Sequence, residues 1–287
     1  KSVCLPLESV YSLRTIDDVD SFRHEFIPGK KIVIVGGGYI GLELASVAAQ
    51  LGLKVTIIEA QSRILSRTAS ELTANFFRKL HREHKVKILE NKKVENFLDK
   101  EGIFIGVTLN NGSVIEGDFA LVGIGATPNT DLADNCGLNV DDGILVNDMS
   151  QTSDPNIFAA GDCTSFVYRS KKTRLESVGN AIEQATVAAN SAIGKVKKYK
   201  PVPWFWSDQY DFKLQIAGLN TLSSEVVIRK GKKGISFWYF QGDDLVATES
   251  INDAQSFMIS KKLIETNARV NKSDVSNYKK NIKSLIK

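Results

Sequence analysis

The chain has 287 residues, a formal net charge of +4, 43% hydrophobic and 24% charged residues. That is enough length for more than one domain, with the balance of an ordinary globular protein. No apolar run approaches the ~20 residues of a spanning helix, and no signal-peptide pattern opens the chain. Cys4, Cys136 and Cys163 lie too far apart for a C-x-x-C or metal-ligand pattern, and all three histidines precede residue 85. No His-rich metal site is therefore expected, and a reducing, cytoplasmic setting is the simplest expectation.

Residues 1–29 do not read as the start of a domain. Leu5, Leu7, Val10, Tyr11 and Leu13 form a semi-alternating apolar stretch, Thr15-Ile16-Asp17-Asp18 reads as a helix cap with its first turn, and Ile27-Pro28-Gly29 breaks the chain. Such a piece has to pack on something else. Ile32–Val35 is an apolar, β-branched run, the mark of a strand buried on both faces. Gly36, Gly38 and Gly41 follow in the spacing G-x-G-x-x-G, then Leu42, Ala45, Ala49 and Leu53 at helical spacing, a second apolar strand at Lys54–Ile58, and Glu59 at its end. This is the dinucleotide-binding fingerprint in its βαβ setting: Gly36 for the tight turn, Gly38 for close backbone approach to a pyrophosphate, Gly41 for helix–strand packing. The pyrophosphate is expected over the helix N-terminus. A carboxylate at Glu59 can accept from the adenosine ribose hydroxyls, and a 2′-phosphate beside it would cost roughly 2–4 kcal/mol at an effective dielectric near 20. NADH is thus favoured over NADPH, with Arg63 and Arg67 downstream able to soften that penalty.

Leu72, Phe76 and Leu80, with Phe77 alongside, place one apolar stripe on a helix over Ser70–His84. Strands are expected at Val86–Leu89, Val94–Leu98, Phe104–Leu109, Val114–Ile115 and Phe119–Ile124, with Asn110-Asn111-Gly112-Ser113 as a hairpin turn. The loop Gly123-Ile124-Gly125-Ala126 then lies beyond a strand's carboxyl end, where α/β sheets bind ligands, although a plain tight turn has the same look. A second block opens near Ser150. Ile157–Asp162 reads as a buried strand ending in Gly161-Asp162, whose acid suits either a ribityl or ribose hydroxyl or the cap of the next turn. A long helix is expected over Leu175–Ile193, with an Ala-rich face that permits close packing. The last region starts at Pro201-Val202-Pro203-Trp204-Phe205-Trp206, where the tryptophans suit core packing or a cofactor wall. Antiparallel strands are expected at Leu214–Ala217, Val226–Arg229, Ile235–Phe240 and Leu245–Thr248, and helices at Asp253–Glu265 and Tyr278–Ile286. From Lys261 onward eight Lys or Arg face two acids, with further basic runs at Lys195–Lys200 and Arg229–Lys233. Such runs are either solvated surface or a face for an acidic partner; no nucleic-acid motif accompanies them.

VYSLRTIDDV, GGGYIGLELA, IIEAQSRILSR, LHREHKVKIL, VGIGATPNTDLA, IFAAGDCT, RLESVGNAIEQA and WFWSDQYDFKLQIAG occur in this order. Their combination resembles the FAD-dependent, NADH-using ferredoxin reductase family, which includes putidaredoxin, rubredoxin and aromatic-ring dioxygenase ferredoxin reductases. The resemblance implies an α/β Rossmann-like FAD/NAD(P)-binding fold of the pyridine nucleotide-disulfide oxidoreductase type, with a small α+β C-terminal domain. It implies that NAD meets Gly36, Gly38, Tyr39, Ile40 and Gly41, with Glu43 toward the nicotinamide. Glu59 would hold the ribose, Arg67 the adenine end, and Gly125, Ala126 and Glu176 the nicotinamide side. For FAD it implies Gly161, Asp162 at the ribityl chain, backbone of Ser177 and Val178 at the pyrimidine edge, and Trp206 beside the isoalloxazine ring. The implied reaction passes a hydride from NADH to flavin and single electrons to a ferredoxin- or rubredoxin-type iron–sulfur protein. It needs no acid–base catalyst, Glu43 and Trp206 serving to position. The family's first Rossmann unit, with its own glycine fingerprint, has no counterpart in residues 1–29. The expected division is therefore 1–29 as the trailing segment of an absent FAD unit, 30–148 for NAD, 149–198 as a second FAD segment and 199–287 as the C-terminal domain. Disulfide reductases share this layout but normally supply a C-terminal histidine, which this chain lacks after His84. A flavin NADH oxidase, a relative of apoptosis-inducing factor, or an NADH-sensing module without turnover are the alternatives.

Overall fold

A computed structural model describes residues 7–231 and 234–286. Cys4, Leu5 and the Lys232-Lys233 end of one basic run lie outside them. The chain divides into two units, the first running to Ala126 and including Ser207–Lys213, the second comprising Thr127–Trp206 and Leu214 onward.

In the first unit the elements are β1 (Val10–Ser12), α1 (Ile16–Phe22), β2 (Lys31–Val35), α2 (Tyr39–Gln50), β3 (Lys54–Ile58), α3 (Glu71–Glu83), β4 (Lys87–Leu89), β5 (Val94–Lys100), β6 (Ile103–Leu109), β7 (Val114–Glu116) and β8 (Phe119–Val122). Five of the strands form a parallel sheet in the order β1-β8-β2-β3-β4. Ile32, Val33 and Ile34 are at most 1% exposed, so β2 is covered on both faces as its unbroken apolar run requires. Leu42, Ala45 and Ala48 form the buried stripe of α2. The antiparallel sheet β5-β6-β7 buries Phe104, Val107 and Leu109 in one core with Val33, Ile58 and Ala120.

The segment before Lys30 finds its support within this unit. β1 extends the parallel sheet beside β8, and Thr15 and Asp18 close a reciprocal capping box on α1. The buried Glu25 carboxylate accepts from Ser9 Oγ and Tyr11 OH at 3.1 Å and from Lys30 Nζ at 2.5 Å. Rings then step inward through Tyr11, Phe22, Phe26 and Phe119 at 5.7–5.8 Å.

One periodicity is rotated from expectation. The buried face of α3 is Thr73, Ala74, Phe77, Leu80 and His81, while Leu72 and Phe76 are half-buried at its border. The stripe is centred on Phe77, and Phe76 turns to an edge contact with Phe212 at 5.2 Å.

In the second unit come α4 (Asp131–Asn135), β9 (Ile144–Leu145), β10 (Thr164–Tyr168), β11 (Lys171–Thr173) and α5 (Val178–Ala192). Ile157–Asp162 is not the buried strand that its apolar run suggests. Phe158 makes only an isolated bridge with Gln151, Ile157 is 38% exposed, and the ladder forms at β10, between β9 and β11. Gly161, at φ +88°, breaks extended backbone at that point. The long helix starts at Val178, three residues later than expected, with Ser177 as its cap. It packs not through its alanines but through Gly179, Asn180, Gln184 and Val187. The buried amides hold their place by bonding: Asn180 Nδ2 donates to Leu175 O at 3.0 Å, and Tyr199 OH donates to Asn180 Oδ1 at 2.5 Å.

β12 (Trp204–Gln209), β13 (Phe212–Gly218), β14 (Glu225–Lys230), β15 (Ile235–Gln241) and β16 (Asp244–Ile251) form a sheet in the order β12-β13-β16-β15-β14, and the Ser207–Lys213 tip of its first hairpin belongs to the first unit. α6 (Ala254–Thr266) and α7 (Lys272–Ser276) follow. Trp238, Phe240, Leu245, Phe257, Leu263 and Ile264 make the core here. The expected helix over Tyr278–Ile286 does not form: the stretch holds only a 3₁₀ turn at Ile282–Leu285. The Arg229 guanidinium takes the carbonyls of Val275, Asn277, Tyr278 and Lys280 at 2.8–3.4 Å, the acceptors a continuing helix would need. No helix among the described residues is long and apolar enough to cross a membrane.

Candidate functional site

The carboxyl ends of β2, β3 and β8 lie at one edge of the parallel sheet, and the chain order reverses between β2 and β8. Such a switch point leaves a crevice for ligand. Three segments meet there. Gly36, at φ +112°, has no room for a side chain, because a Cβ would stand 2.3 Å from Gly123 O. A Cβ on Gly41 would stand 2.1 Å from Gly36 O, whereas one on Gly38 would meet nothing within 4 Å. Gly38 caps α2 without a side-chain hydrogen bond. Two glycines are thus needed for internal packing, and the third faces open space at a helix N-terminus, a cradle shaped for an anionic group at close backbone range.

Glu59 is held at the rim of this cradle. Its Oε2 accepts from Gly37 N–H and its Oε1 from Gln61 N–H, both at 2.7 Å. A carboxylate oxygen has lone pairs to spare after one such bond, so the acid can still receive a hydroxyl. Arg63 and Arg67 differ in kind. Arg63 is spent on the carbonyls of Ile64, Leu65, Ser66 and Ala69 and braces the loop after β3. Arg67 is exposed, its guanidinium 3.1 Å from where a Gly125 Cβ would stand, so it lines the loop after β8. Ile40, Gly125 and Ala126 are exposed, and Tyr39 and Glu43 are half-buried one turn apart on α2.

Glu176 falls in the second unit, ion-paired with Arg174, which also reaches Asp142 at 3.3 Å. That unit also holds the residues expected at flavin. Gly161 N–H donates to Gln184 Oε1 at 2.8 Å, an acceptor shared with Thr164 Oγ1, and Asp162 beside it is exposed. Ser177 caps α5, and Val178 follows 54% exposed. Trp206 is 37% exposed and stacks on Trp204 with ring centroids 5.5 Å apart. Trp204 lies so close to α5 that a Cβ on Gly179 would stand 2.2 Å from its indole nitrogen. Two buried donors here, Gln184 Nε2 and Trp204 Nε1, have no hydrogen-bond partner. Buried donors of this kind call for a partner such as water or a bound group.

Sequence reasoning overlooked four residues of the first unit. Glu43 Oε1 accepts from Ser207 Oγ at 2.6 Å, and Gln209 Nε2 donates to Ser207 Oγ at 3.1 Å. Gln209 Oε1 lies 2.9 Å from His81 Nε2, and His81 Nδ1 lies 3.1 Å from Tyr210 OH. Ser207, Gln209 and His81 are all 0% exposed. The spacing of His81 four residues after Phe77 was the available signal, since it places both on one helix face. Burial raises the Glu43 carboxyl above its usual range, opposed by the Ser207 hydroxyl.

Burial also lowers His81 from 6.5 to about 4. Below pH 6.5 the unfolded chain then binds a proton that the folded chain refuses until about pH 4. Stability is fully present above 6.5 and is lost as pH falls through that window, by about 3 kcal/mol. Urea unfolding between pH 7 and pH 4 is expected to show this loss, with a flatter profile in His81→Gln. Equal slopes in the two proteins would refute the assignment.

Residues 3–188 match the family described as pyridine nucleotide-disulphide oxidoreductase, and residues 204–286 match the reductase C-terminal family. The chain is 39% identical to rhodocoxin reductase of Rhodococcus erythropolis over 264 residues, 91% of this chain and 62% of that protein. It is 37% identical to putidaredoxin reductase CamA of Pseudomonas putida, over 88% of this chain and 61% of that one. The crystal structure of a covalent putidaredoxin reductase–putidaredoxin complex superposes with TM-score 0.93 at 34% identity, covering 97% of this chain and 68% of its own. The chain thus spans about three fifths of the length of these two curated relatives.

Proposed function

Because the chain belongs to the pyridine nucleotide-disulphide oxidoreductase family, we propose that it serves an NADH-dependent flavoprotein reductase whose electrons leave singly to a ferredoxin- or rubredoxin-type iron–sulfur protein. The observation that carries this reading is the Gly38 cradle with Glu59 locked beside it. Gly36, Gly38 and Gly41 would admit the NAD pyrophosphate, Glu59 the ribose, and Tyr39, Ile40, Glu43, Arg67, Gly125, Ala126 and Glu176 the remainder. Gly161, Asp162, Ser177, Val178 and Trp206 would hold FAD. Bound together, the two cofactors supply the hydride and single-electron chemistry; the side chains bind, orient and exclude water. Names of relatives such as putidaredoxin reductase and rubredoxin-NAD(+) reductase support the choice of acceptor class. The C-terminal basic stretch suits an acidic partner, and we place the protein in the cytoplasm.

Absorption spectra of the purified chain with added FAD, then NADH, test the proposal. NADH binding is expected, with NADPH at least tenfold weaker through repulsion at Glu59; a flavin band that NADH bleaches would show that the second FAD segment suffices for flavin, and a colourless chain that binds NADH that only the nicotinamide half works. A chain that binds neither nucleotide at millimolar concentration would refute it.

A further inference from the structure

With Glu43 ionised, the hydrogen bonds between it and Tyr210 have one permitted direction. An ionised carboxylate only accepts, so Ser207 must spend its single hydroxyl proton on Glu43 Oε1, 2.6 Å away. The Gln209 atom facing Ser207 must then be the amide nitrogen, 3.1 Å away. Gln209 Oε1 is left toward His81, so His81 Nε2 carries the ring proton and donates across 2.9 Å. His81 Nδ1 is then an acceptor, and Tyr210 OH donates to it across 3.1 Å. Every donor in the chain points toward Glu43.

If Glu43 took up a proton, the chain would run the other way, with the Gln209 amide turned over, the His81 proton on Nδ1 and every group still paired. The ionised form is nonetheless the better bonded, because a hydroxyl donating to a carboxylate makes a charge-assisted bond roughly twice as strong as a neutral one, which opposes what burial costs the anion. The other groups facing Glu43 are Asp208, a like charge that also offers its backbone N–H, and Tyr39 one turn back on α2. Those facing His81 are His84 on its own helix, Gln209 and Tyr210. The His84 ring stacks on Tyr210 with centroids 3.8 Å apart and closes the outer end.

We propose that Ser207, Gln209 and His81 are positioning residues that hold Glu43 as an oriented anion, poised to accept from the carboxamide of a nicotinamide ring. This rests on reading the first unit as a nicotinamide nucleotide site. The resemblance puts Glu43 near the ring; the directed chain behind it is a property of the hairpin tip and α3.

The test has two arms on the whole chain. Carboxyl NMR of ¹³C-labelled glutamate, with Glu43 assigned through Glu43→Gln, follows its titration without nucleotide. Fluorescence titration follows NADH affinity at pH 7. Ser207→Ala is expected to move the Glu43 midpoint to higher pH and weaken NADH about tenfold. Ser207→Thr, which keeps the hydroxyl, is expected to recover both. His81→Phe, which removes the far end, is expected to act in the same direction and less strongly. An unmoved Glu43 midpoint in Ser207→Ala and His81→Phe overturns the proposal, as does a moved midpoint with unaltered NADH affinity. If the midpoint moves while the parent chain itself fails to bind NADH, the nucleotide reading is what fails, and the control of Glu43 charge stands.

Discussion

Gly38→Ala is expected to leave the fold intact and to weaken NADH binding at least a hundredfold, whereas Gly41→Ala is expected to unfold the first unit under mild denaturant. Gly38 sits at φ −78° and ψ −174°, a conformation open to alanine, and its Cβ would meet no atom within 4 Å. The stability change is therefore that of a cap residue, about 1 kcal/mol or less. Yet the new methyl would stand where a pyrophosphate must approach backbone N–H groups, and a hundredfold loss corresponds to about 2.7 kcal/mol. Gly41 is the opposite case. Its Cβ would lie 2.1 Å from Gly36 O, and neither backbone segment can retreat, since Gly36 is itself pressed on Gly123 O. Overpacking of this kind costs about 3 kcal/mol or more. Urea midpoints and NADH titration separate the two effects. Unimpaired binding by a folded Gly38→Ala protein would mean that the pyrophosphate does not cross the N-terminus of α2.

Arg229→Ala is expected to lower stability by about 4 kcal/mol and to open the C-terminal segment to proteases around residues 277–281. Arg229 is 7% exposed, and its guanidinium makes four hydrogen bonds to carbonyls of Val275, Asn277, Tyr278 and Lys280. Bonds with a charged partner contribute roughly 1.5–3 kcal/mol each, and their acceptors partly recover water when it is lost. Arg229→Lys is expected to restore little, because an ammonium cannot span the four acceptors that the planar fork reaches. Cleavage rates equal to the parent's would show that the segment is held by Val275, Ile282 and Leu285 in the core and not by the cation.

That cation also explains one failure of sequence reasoning. Tyr278–Ile286 reads as helical on spacing alone, and nothing local reveals an arginine about fifty residues earlier that takes its carbonyls. The same cause recurs elsewhere. The Ala-rich side of α5 reads as its packing face, but Gln184 and Asn180 are buried instead, because Gly161, Thr164, Leu175 and Tyr199 offer them partners. Ile157–Asp162 has a strand's composition and loses the ladder to Thr164–Tyr168, since Gly161 turns the backbone first.

Whatever depends on local order is legible in the amino-acid sequence. β2 and β3 follow from unbroken apolar runs, the α1 cap from Thr15 and Asp18, and the cradle at the start of α2 from glycines whose spacing is set by one turn and one helix. These features need only neighbours within a few residues, or one βαβ unit, and so are written in short stretches of chain. The tertiary structure alone decided the place of residues 7–29 beside β8, the loops that occupy Arg63 and bring Arg67 to Gly125, and the directed chain from Tyr210 to Glu43. Each depends on partners far apart in sequence, 164 residues for Ser207 and Glu43. A buried polar group is stable only where such a partner arrives, and no periodicity within α2 or α3 records that arrival.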